Sequence, residues 1–324
     1  MSCKWQALSY RPGPSQLTAL SSQLCCKFAP MTIHEASQQL RFQLFTLYDD
    51  REAANIADLV MENITGWTKI DRVVNKTVPL SYIQQQQLND YTNALMANKP
   101  LQYVLHEAWF FGMKLYADEN VLIPRPETEE LVDWIVKDNI SSKFIVHSSK
   151  ASVNNVLDIG TGSGCIPLAI KKMLPNIELH AVDISEGALK VAKKNAATLQ
   201  LHIHFHQLDI LDADATQSMP QFDIIVSNPP YIPQSDKATM AANVLQYEPH
   251  LALFVDNEDP LLFYKAIAAF AHSHLKPGGY IYLEIHEEMA QAVTALYREK
   301  GFTNIELRKD LQGRDRMLKA GLKV

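Results

Sequence analysis

The chain has 324 residues, of which 47% are hydrophobic and 20% charged, and its formal net charge at pH 7 is −6. This length allows two domains with their own cores, while the acidic balance argues against a surface that wraps nucleic acid. The four cysteines form no C-x-x-C pair, which argues against a zinc ribbon or a disulfide framework and fits a reducing cytoplasm. No apolar run approaches the roughly 18 residues that are needed to span a bilayer.

The N-terminal third begins with an atypical segment and continues as helices. Residues 1–30 are expected to be a disordered extension or an upstream mis-start, because proline and glycine interrupt them and they lack the apolar segment of a signal peptide. From Met31 onward, capping boxes begin at Thr32 and Ser81, and apolar residues recur at helical spacing. The pattern predicts a small helical domain at 31–100, whose residues alone leave a packing role and a docking role open.

The remaining sequence predicts a β-hairpin linker followed by a larger domain. Within 101–122, Tyr103–Phe111 is aromatic and β-prone, Gly112 can form a turn, and Met113–Ala117 can return as a second strand. Residues 123–324 alternate strand and helix patterns, which is typical of a doubly wound α/β sheet. The predicted strands are 153–159, 179–182, 202–207, 222–227, 280–285, 302–308 and 315–320, and the predicted helices are 166–173, 185–199, 261–275 and 287–300.

A glycine-rich segment, Asp158–Gly164, directly follows the first of these strands and precedes a helix. Its G-x-G-x-G spacing is tighter than the G-x-G-x-x-G of pyrophosphate-binding loops, so it favours a cofactor with an adenosine and an amino-acid tail. Asp183 ends the next strand, where a carboxylate can accept hydrogen bonds from both ribose hydroxyls. Two other interpretations stay open at this point, namely a dinucleotide-binding dehydrogenase and a glycine turn that binds no ligand. The expected binding residues of the loop are Gly160, Thr161, Gly162, Ser163 and Gly164.

The segment Asn228-Pro229-Pro230-Tyr231 directly follows the fourth strand. Its two prolines remove two backbone donors, which leaves outward carbonyls, the Asn228 amide and the Tyr231 ring. The Asn228 side-chain oxygen and the Pro229 carbonyl can each accept one N–H of an amino group, whose remaining face then points at the cofactor. An amide nitrogen is a poor nucleophile, so holding it in line at about 3–3.5 Å is the main catalytic lever. Tyr231 can stack on the planar amide.

Together these motifs resemble the release-factor glutamine methyltransferase family (HemK/PrmC). The similarity runs from about 32 to 320, and the combination of Ile123–Glu129 (I-P-R-P-E-T-E) with Asn228–Tyr231 is its most specific part. It implies a class I S-adenosylmethionine-dependent methyltransferase fold, which is a Rossmann-like doubly wound sheet behind a small N-terminal helical domain. The other matching segments are the glycine loop, Tyr247–Pro249, Lys276–Gly279 and Lys309–Leu311.

The resemblance also implies an activity and a partner. The family transfers a methyl group from S-adenosylmethionine to the side-chain amide of the glutamine in the Gly-Gly-Gln loop of peptide chain release factors, a cytoplasmic reaction. The helical domain at 31–100 would then dock the substrate, and residues 123–324 would form the catalytic domain. Neither a membrane nor nucleic acid is required.

The resemblance assigns roles to individual residues. It implies cofactor contacts for the glycine loop, Asp183 and Asn228, and catalytic roles for Asn228, Pro229 and Tyr231. Asp209 and Ile210 match the positions where members of the family contact the adenine. The aromatic residue sometimes found at the second of these positions is absent here, so only apolar packing by Ile210 is expected. Substrate contacts are implied for Asn228, Pro229, Pro230 and Tyr231.

Two further features have simpler interpretations beside a functional one. Arg125 and Glu127 can touch cofactor or substrate, but Pro126 followed by acidic residues is also a favourable helix start. His202, His204 and His206 alternate and therefore share one strand face. Three histidines on one face can hold a metal ion, but a solvated edge strand is the simpler interpretation, and we expect no metal.

Three other functions compete with release-factor methylation. A ribosomal-protein glutamine methyltransferase would use the same chemistry on a different partner. A nucleic-acid amino-methyltransferase also uses N-P-P-Y, but the basic surface that it needs is not evident. A cofactor-binding scaffold without turnover would not need the intact segment from Asn228 to Tyr231.

Overall fold

The computed structural model describes residues 31–144 and 155–322, with no side-chain detail at 140–144. The predicted extension at 1–30 and the first two residues of the strand predicted at 153–159 lie outside the described residues. The chain divides into two compact units, one ending at Ala97 and the other beginning at Asn98. Within the described ranges, every helix is too short or too polar to span a lipid bilayer.

The first unit is helical, as the sequence predicts. Capping boxes are present at Thr32 and Ser81, and Gly66 ends the second helix in the left-handed conformation with a φ of 69°. The second helix is capped by Asp49, whose side chain accepts two backbone N–H groups, and the sequence did not predict the short third helix. The helices are α1 (Ile33–Leu44), α2 (Asp50–Thr65), α3 (Lys69–Val74) and α4 (Tyr82–Met96), of which α1, α2 and α4 pack together.

The second unit begins with a helix where the sequence predicted a strand. Residues Leu101–Leu105 form α5, so the strand prediction is wrong for Tyr103–Leu105. Tyr103 is completely buried and its hydroxyl donates to the carbonyl of Val121 at 2.6 Å, a tertiary contact that overrides β propensity. The predicted hairpin follows as β1 (Ala108–Phe110) and β2 (Met113–Leu115), joined at Phe111 and Gly112, whose φ angles are 49° and 67°.

A seven-stranded sheet forms the centre of the second unit, in the order β10-β11-β9-β6-β3-β4-β5. Strands β9, β6, β3, β4 and β5 are parallel, and β11 runs antiparallel to both β9 and β10. The closing antiparallel pair and the doubly wound sheet are therefore confirmed. Its strands are β3 (Asn155–Ile159), β4 (Glu178–Asp183), β5 (His204–Gln207), β6 (Phe222–Ser227), β9 (Leu275–Glu284), β10 (Phe302–Lys309) and β11 (Asp315–Leu322), while β7 (Ile232–Pro233) and β8 (Phe254–Val255) pair separately.

Helices cover both faces of this sheet. One apolar cluster joins α6 (Pro126–Phe144) and α7 (Cys165–Met173) to the sheet, and another joins α12 (Leu262–His274) and α13 (Ala290–Glu299) to the opposite face. Strands buried on both faces are expected to be apolar throughout, which explains why the sequence predicted most of them. The helices are α6 (Pro126–Phe144), α7 (Cys165–Met173), α8 (Glu186–Leu199), α9 (Ala213–Thr216), α10 (Ala242–Tyr247), α11 (His250–Leu253), α12 (Leu262–His274) and α13 (Ala290–Glu299).

The strand order reverses between β3 and β6. From β3 the chain adds β4 and β5 on one side, and from β6 it adds β9 and the antiparallel pair on the other. A crevice forms outside the carboxyl ends of the strands at such a point, and ligands of open α/β sheets bind there. Both motifs singled out in the sequence begin at this place, one after β3 and the other after β6.

Candidate cofactor and substrate site

The glycine loop and the N-P-P-Y segment start side by side. Ile159 at the end of β3 is in register with Ser227 at the end of β6. The buried Ser227 hydroxyl donates to the Ile159 carbonyl at 2.7 Å. This bond ties the two strand ends together, so that both loops leave the sheet from one fixed edge.

Asp183 at the end of β4 holds the glycine loop from the other side. Its Oδ2 accepts the backbone N–H of Gly162 at 2.8 Å, and its Oδ1 accepts that of Ser185 at 2.9 Å. Burial raises the pKa of Asp183, while these two donors stabilise its ionised form. Gly160 and Gly162 have φ angles of 74° and 54°, a conformation that side-chain-bearing residues rarely adopt.

A cavity of about 190 Å³ opens beside these groups. One end is lined by the glycine loop and Asp183, and the other by the N-P-P-Y segment. The predicted linker also contributes to the wall, through the segment from Asn120 to Leu122. Of the predicted site residues, the lining includes Gly160, Gly162, Asp183, Asp209, Ile210, Asn228, Pro229 and Pro230.

Three predicted loop residues lie behind the cavity wall rather than in it. Thr161 and Ser163 are 4% and 2% exposed, and their hydroxyls make no hydrogen bond of good geometry. A Cβ atom on Gly164 would lie 3.2 Å from the Cβ of Ala192, so this glycine allows α8 to pack closely. Asp158 is fully buried beneath the same loop, and neither of its oxygens makes a hydrogen bond of good geometry.

The N-P-P-Y segment is held by a chain of hydrogen bonds that ends at a buried carboxylate. The Asn228 Nδ2 donates to the Thr128 hydroxyl at 3.1 Å, and that hydroxyl donates to Glu284 Oε2 at 2.6 Å. The Tyr231 hydroxyl donates to Glu284 Oε1 at 3.1 Å. Because the Asn228 nitrogen is directed at Thr128, its side-chain oxygen is left to accept from a ligand.

Burial and the polar partners of Glu284 act in opposite directions on its pKa, and burial has the larger effect. Burial raises the pKa of Glu284, whereas the hydroxyls of Thr128 and Tyr231 and the charge of Arg316 stabilise its ionised form. Arg316 is in turn held by Asp310, the central residue of the Lys309–Leu311 segment, at 3.3 Å. That segment therefore supports the site from outside the cavity.

Arg125 and Glu127 have partners within the protein. The Arg125 guanidinium contacts both carboxylate oxygens of the buried Glu248 at 2.7 and 2.8 Å, and Glu127 accepts from the Gln312 amide at 3.4 Å. Neither residue lines the cavity, and neither does Tyr231. Arg125 therefore fixes the segment around Glu248, and a direct contact with cofactor or substrate stays a prediction for all three.

Sequence reasoning missed Thr128 and Glu284 as parts of the site. Thr128 stands inside the quoted I-P-R-P-E-T-E segment, but no spacing rule gives it a role. Glu284 carries a signal that was overlooked, because it is a charged residue within the apolar strand predicted at 280–285. A carboxylate in a buried strand requires partners, which makes it a candidate for a functional network.

The residues present fit a nucleoside cofactor with an amino-acid tail. Asp183 stands at the strand end where a carboxylate can accept from ribose hydroxyls, and the apolar side chains of Leu208, Ile210 and Ile267 line the same cavity.

Two family models match the chain. Residues 34–105 match the PrmC N-terminal domain, and residues 136–252 match the methyltransferase small domain. The first match covers the helical unit and the start of the second unit. The second covers the parallel strands β3 to β6 together with the glycine loop and the N-P-P-Y segment.

Named relatives match over almost their whole length. The release factor glutamine methyltransferase of Flavobacterium psychrophilum is 39% identical over 293 residues, which is 90% of this chain and 100% of that protein. The release factor glutamine methyltransferase of Bacteroides thetaiotaomicron is 39% identical, and the match covers 87% of this chain and 97% of that protein. One solved structure is similar, that of the release-factor-specific protein-(glutamine-N5) methyltransferase of Alicyclobacillus acidocaldarius. Its sequence is 27% identical, the match covers 62% of this chain and 95% of that chain, and the TM-score is 0.38.

The buried Asp158 makes the stability of the protein depend on pH. Burial raises its pKa to about 7 from an ordinary value of 3.8; the Thr161 hydroxyl acts against this shift, and the Asp183 charge adds to it. Between about pH 4 and 7 the folded protein therefore keeps a proton that the unfolded chain has released, so stability falls as pH rises. We predict that Asp158→Asn, which does not titrate, gains stability over the wild type across this range, on the order of a few kcal/mol.

Urea unfolding of both proteins at several pH values measures this difference. Asp214→Asn is the matched control, because it makes the same change at an exposed position. A difference between Asp158→Asn and the wild type that is constant with pH, or that shrinks as pH rises, contradicts the prediction.

Proposed function

The chain belongs to the release factor glutamine methyltransferase family, and on this premise we propose that its cavity transfers a methyl group from S-adenosylmethionine to the side-chain amide nitrogen of the glutamine in a release factor's Gly-Gly-Gln loop. The observation that carries the proposal is the fixed orientation of Asn228, whose amide nitrogen is bound by Thr128. Its free oxygen is the group that an amide N–H requires.

Residues of the cavity divide into a cofactor end and a substrate end. Gly160 and Gly162 let the backbone pass close to a ligand, and Asp183 offers the carboxylate for the ribose. Asp209 and Ile210 line the wall where the adenine is expected. S-Adenosylmethionine, when bound there, supplies a methyl group on a positively charged sulfur.

The substrate end acts by holding an unreactive nitrogen in place. The Asn228 oxygen and the Pro229 carbonyl each accept one N–H of the glutamine –NH₂, which directs the nitrogen's remaining face at the methyl group. A cofactor held at the other end of the cavity would supply the methyl group, and the part played by Asn228 and Pro229 would be to hold the nitrogen in line with it. Fixing the nitrogen in line lowers the barrier because the reacting groups need no further ordering.

The Tyr231 ring completes this arrangement from the side. Its hydroxyl is fixed on Glu284, and burial raises the pKa of Tyr231 well above its ordinary value, so the hydroxyl stays protonated and keeps donating. The ring then keeps one orientation. We propose that it stacks against the planar amide of the incoming glutamine, as the sequence predicts.

A protein substrate fits the charge of the chain better than nucleic acid does. The net charge is −6, whereas binding to DNA or RNA rests largely on phosphate contacts by basic residues. The two glycines beside the target glutamine lack side chains, so a Gly-Gly-Gln loop can enter a narrow pocket. We place the reaction in the cytoplasm, where release factors act.

The helical unit offers a surface that a partner can use. The short helix α3 exposes Ile70, Val73 and Val74, at 76%, 65% and 76% of their area. Several large apolar side chains exposed on one helix of two turns or less are typical of interaction sites rather than of an inert surface. We propose that α3 contributes to docking the intact release factor.

A labelling assay with four substrates tests the function directly. S-Adenosylmethionine carrying a labelled methyl group is offered with an intact release factor, its Gln→Ala variant in the Gly-Gly-Gln loop, a ribosomal protein with a methylatable glutamine, and duplex DNA. Only the intact factor should be labelled. Label on DNA, on the ribosomal protein alone, or equally on the Gln→Ala factor would overturn the assignment.

The same assay with Asn228→Ala tests the proposed clamp. This variant should lose turnover while calorimetry shows nearly unchanged cofactor affinity, because its loss falls on positioning in the transition state. Full activity of Asn228→Ala would remove the clamp from the mechanism without changing the identity of the substrate.

The docking role of α3 predicts a difference between substrates. The double change Ile70→Ser with Val74→Ser should raise KM for the intact release factor at least about fivefold, since each exposed apolar group is worth about 1 kcal/mol when buried. The rate on a short Gly-Gly-Gln peptide should not change. Met173→Ser, an exposed apolar position in the second unit, is the control, and an equal effect on factor and peptide would refute docking by α3.

A further inference from the structure

A cluster of histidines lies at the edge of the sheet, outside the site described above. Strand β5 is the edge strand, and His204 on it is in register with His180 on β4. Glu178, two residues before His180, points to the same face because side chains alternate along a strand. The sequence singled out His204 together with His202 and His206 and favoured a solvated edge strand without a metal, whereas the structure also brings Glu178 and His180 of β4 to His204.

The three side chains converge on one point. Glu178 Oε1 lies 3.2 Å from His180 Nε2 and 3.5 Å from His204 Nε2. One ligand atom from each of the three residues lies within 4.8 Å of the other two. Zinc bonds of about 2.0–2.2 Å in a tetrahedral site place neighbouring ligand atoms about 3.4 Å apart, which matches the two distances from Glu178. The two histidine nitrogens need only a side-chain adjustment to reach the same ion.

A fourth residue orients the central histidine. The His180 Nδ1 lies 3.1 Å from His206 Nε2, and the two rings are stacked at an angle of 5°. Metal-binding histidines characteristically use their second nitrogen in such a bond, which fixes the ring and directs the first nitrogen at the metal.

We propose that Glu178, His180 and His204 form a binding site for Zn²⁺, with water as the fourth ligand. The donor set of two imidazole nitrogens and one carboxylate oxygen suits this ion, and a water completes the four ligands of a tetrahedral site. The site links the edge strand β5 to β4. It is empty in this structure.

The proposed ion has a structural role. Glu178 begins β4 and Asp183 ends it, and five residues of strand span about 16 Å, so the metal lies at the opposite end of β4 from the cofactor cavity. A link across an edge strand stabilises the folded state, because the unfolded chain does not hold the three ligands together. Zinc should therefore raise thermal stability and leave methyl transfer unchanged.

Calorimetric titration of Zn²⁺ into the full-length protein, without any affinity tag and with a reducing agent, tests the site. His204→Ala and Glu178→Gln should each abolish one equivalent of binding or weaken it at least tenfold, and should abolish the rise in Tm on adding zinc. Both positions are partly exposed, so these changes spare the core, unlike a change at the buried His180. His202→Ala is the matched control, because it removes a histidine of the same edge segment outside the triad.

The wild type and His202→Ala should bind the same equivalent and show the same rise in Tm. Binding that is unchanged in His204→Ala and Glu178→Gln would assign the zinc to other groups, such as the cysteines near the N-terminus, and overturn the proposal. The absence of binding by the wild type, or an equal loss in His202→Ala, would overturn it as well.

Discussion

The candidate site depends on one buried carboxylate. Glu284 at the end of β9 is 1% exposed, and its two oxygens accept from the hydroxyls of Thr128 and Tyr231. An ionised carboxylate offers only acceptors, so it dictates the direction of both bonds. Once Thr128 has donated to Glu284, its oxygen can only accept, and the Asn228 amide must turn its nitrogen inward. The orientation of the group that would bind the substrate is thus set by a charge that the substrate need not touch.

This arrangement joins segments far apart in the chain. The carboxylate comes from β9, the hydroxyl of Thr128 from the first turn of α6, and Asn228 from the loop after β6. Burying a charge is costly unless it is paired, and two hydrogen bonds and the positive charge of Arg316 offset part of this cost, although burial still leaves the pKa of Glu284 raised. The clamp therefore exists only when the sheet and the helices on it are complete.

The sequence predicted the sheet well and the support of the site poorly, for one physical reason. Buried parallel strands are apolar runs, and loops at the ends of strands carry glycine or proline, so both leave a local pattern that can be read directly. Pairs of residues that meet only in the folded protein leave no such local pattern in the sequence. Thr128 and Glu284 are 156 residues apart, His204 meets Glu178 only through the register of β4 and β5, and Tyr103 is helical because of a tertiary contact.

The most direct test of this dependence is the rate of methyl transfer in a single turnover by Glu284→Gln, with release factor and S-adenosylmethionine saturating. The amide of the glutamine places an N–H donor where a carboxylate oxygen had accepted from the hydroxyl of Thr128 or Tyr231. That hydroxyl must then rotate, and the Asn228 amide loses its fixed direction. The rate should fall at least about tenfold with cofactor affinity unchanged, while Glu288→Gln, the same change at an exposed neighbour, has no effect. A Glu284→Gln enzyme that transfers methyl groups at the wild-type rate would contradict the central role of this carboxylate.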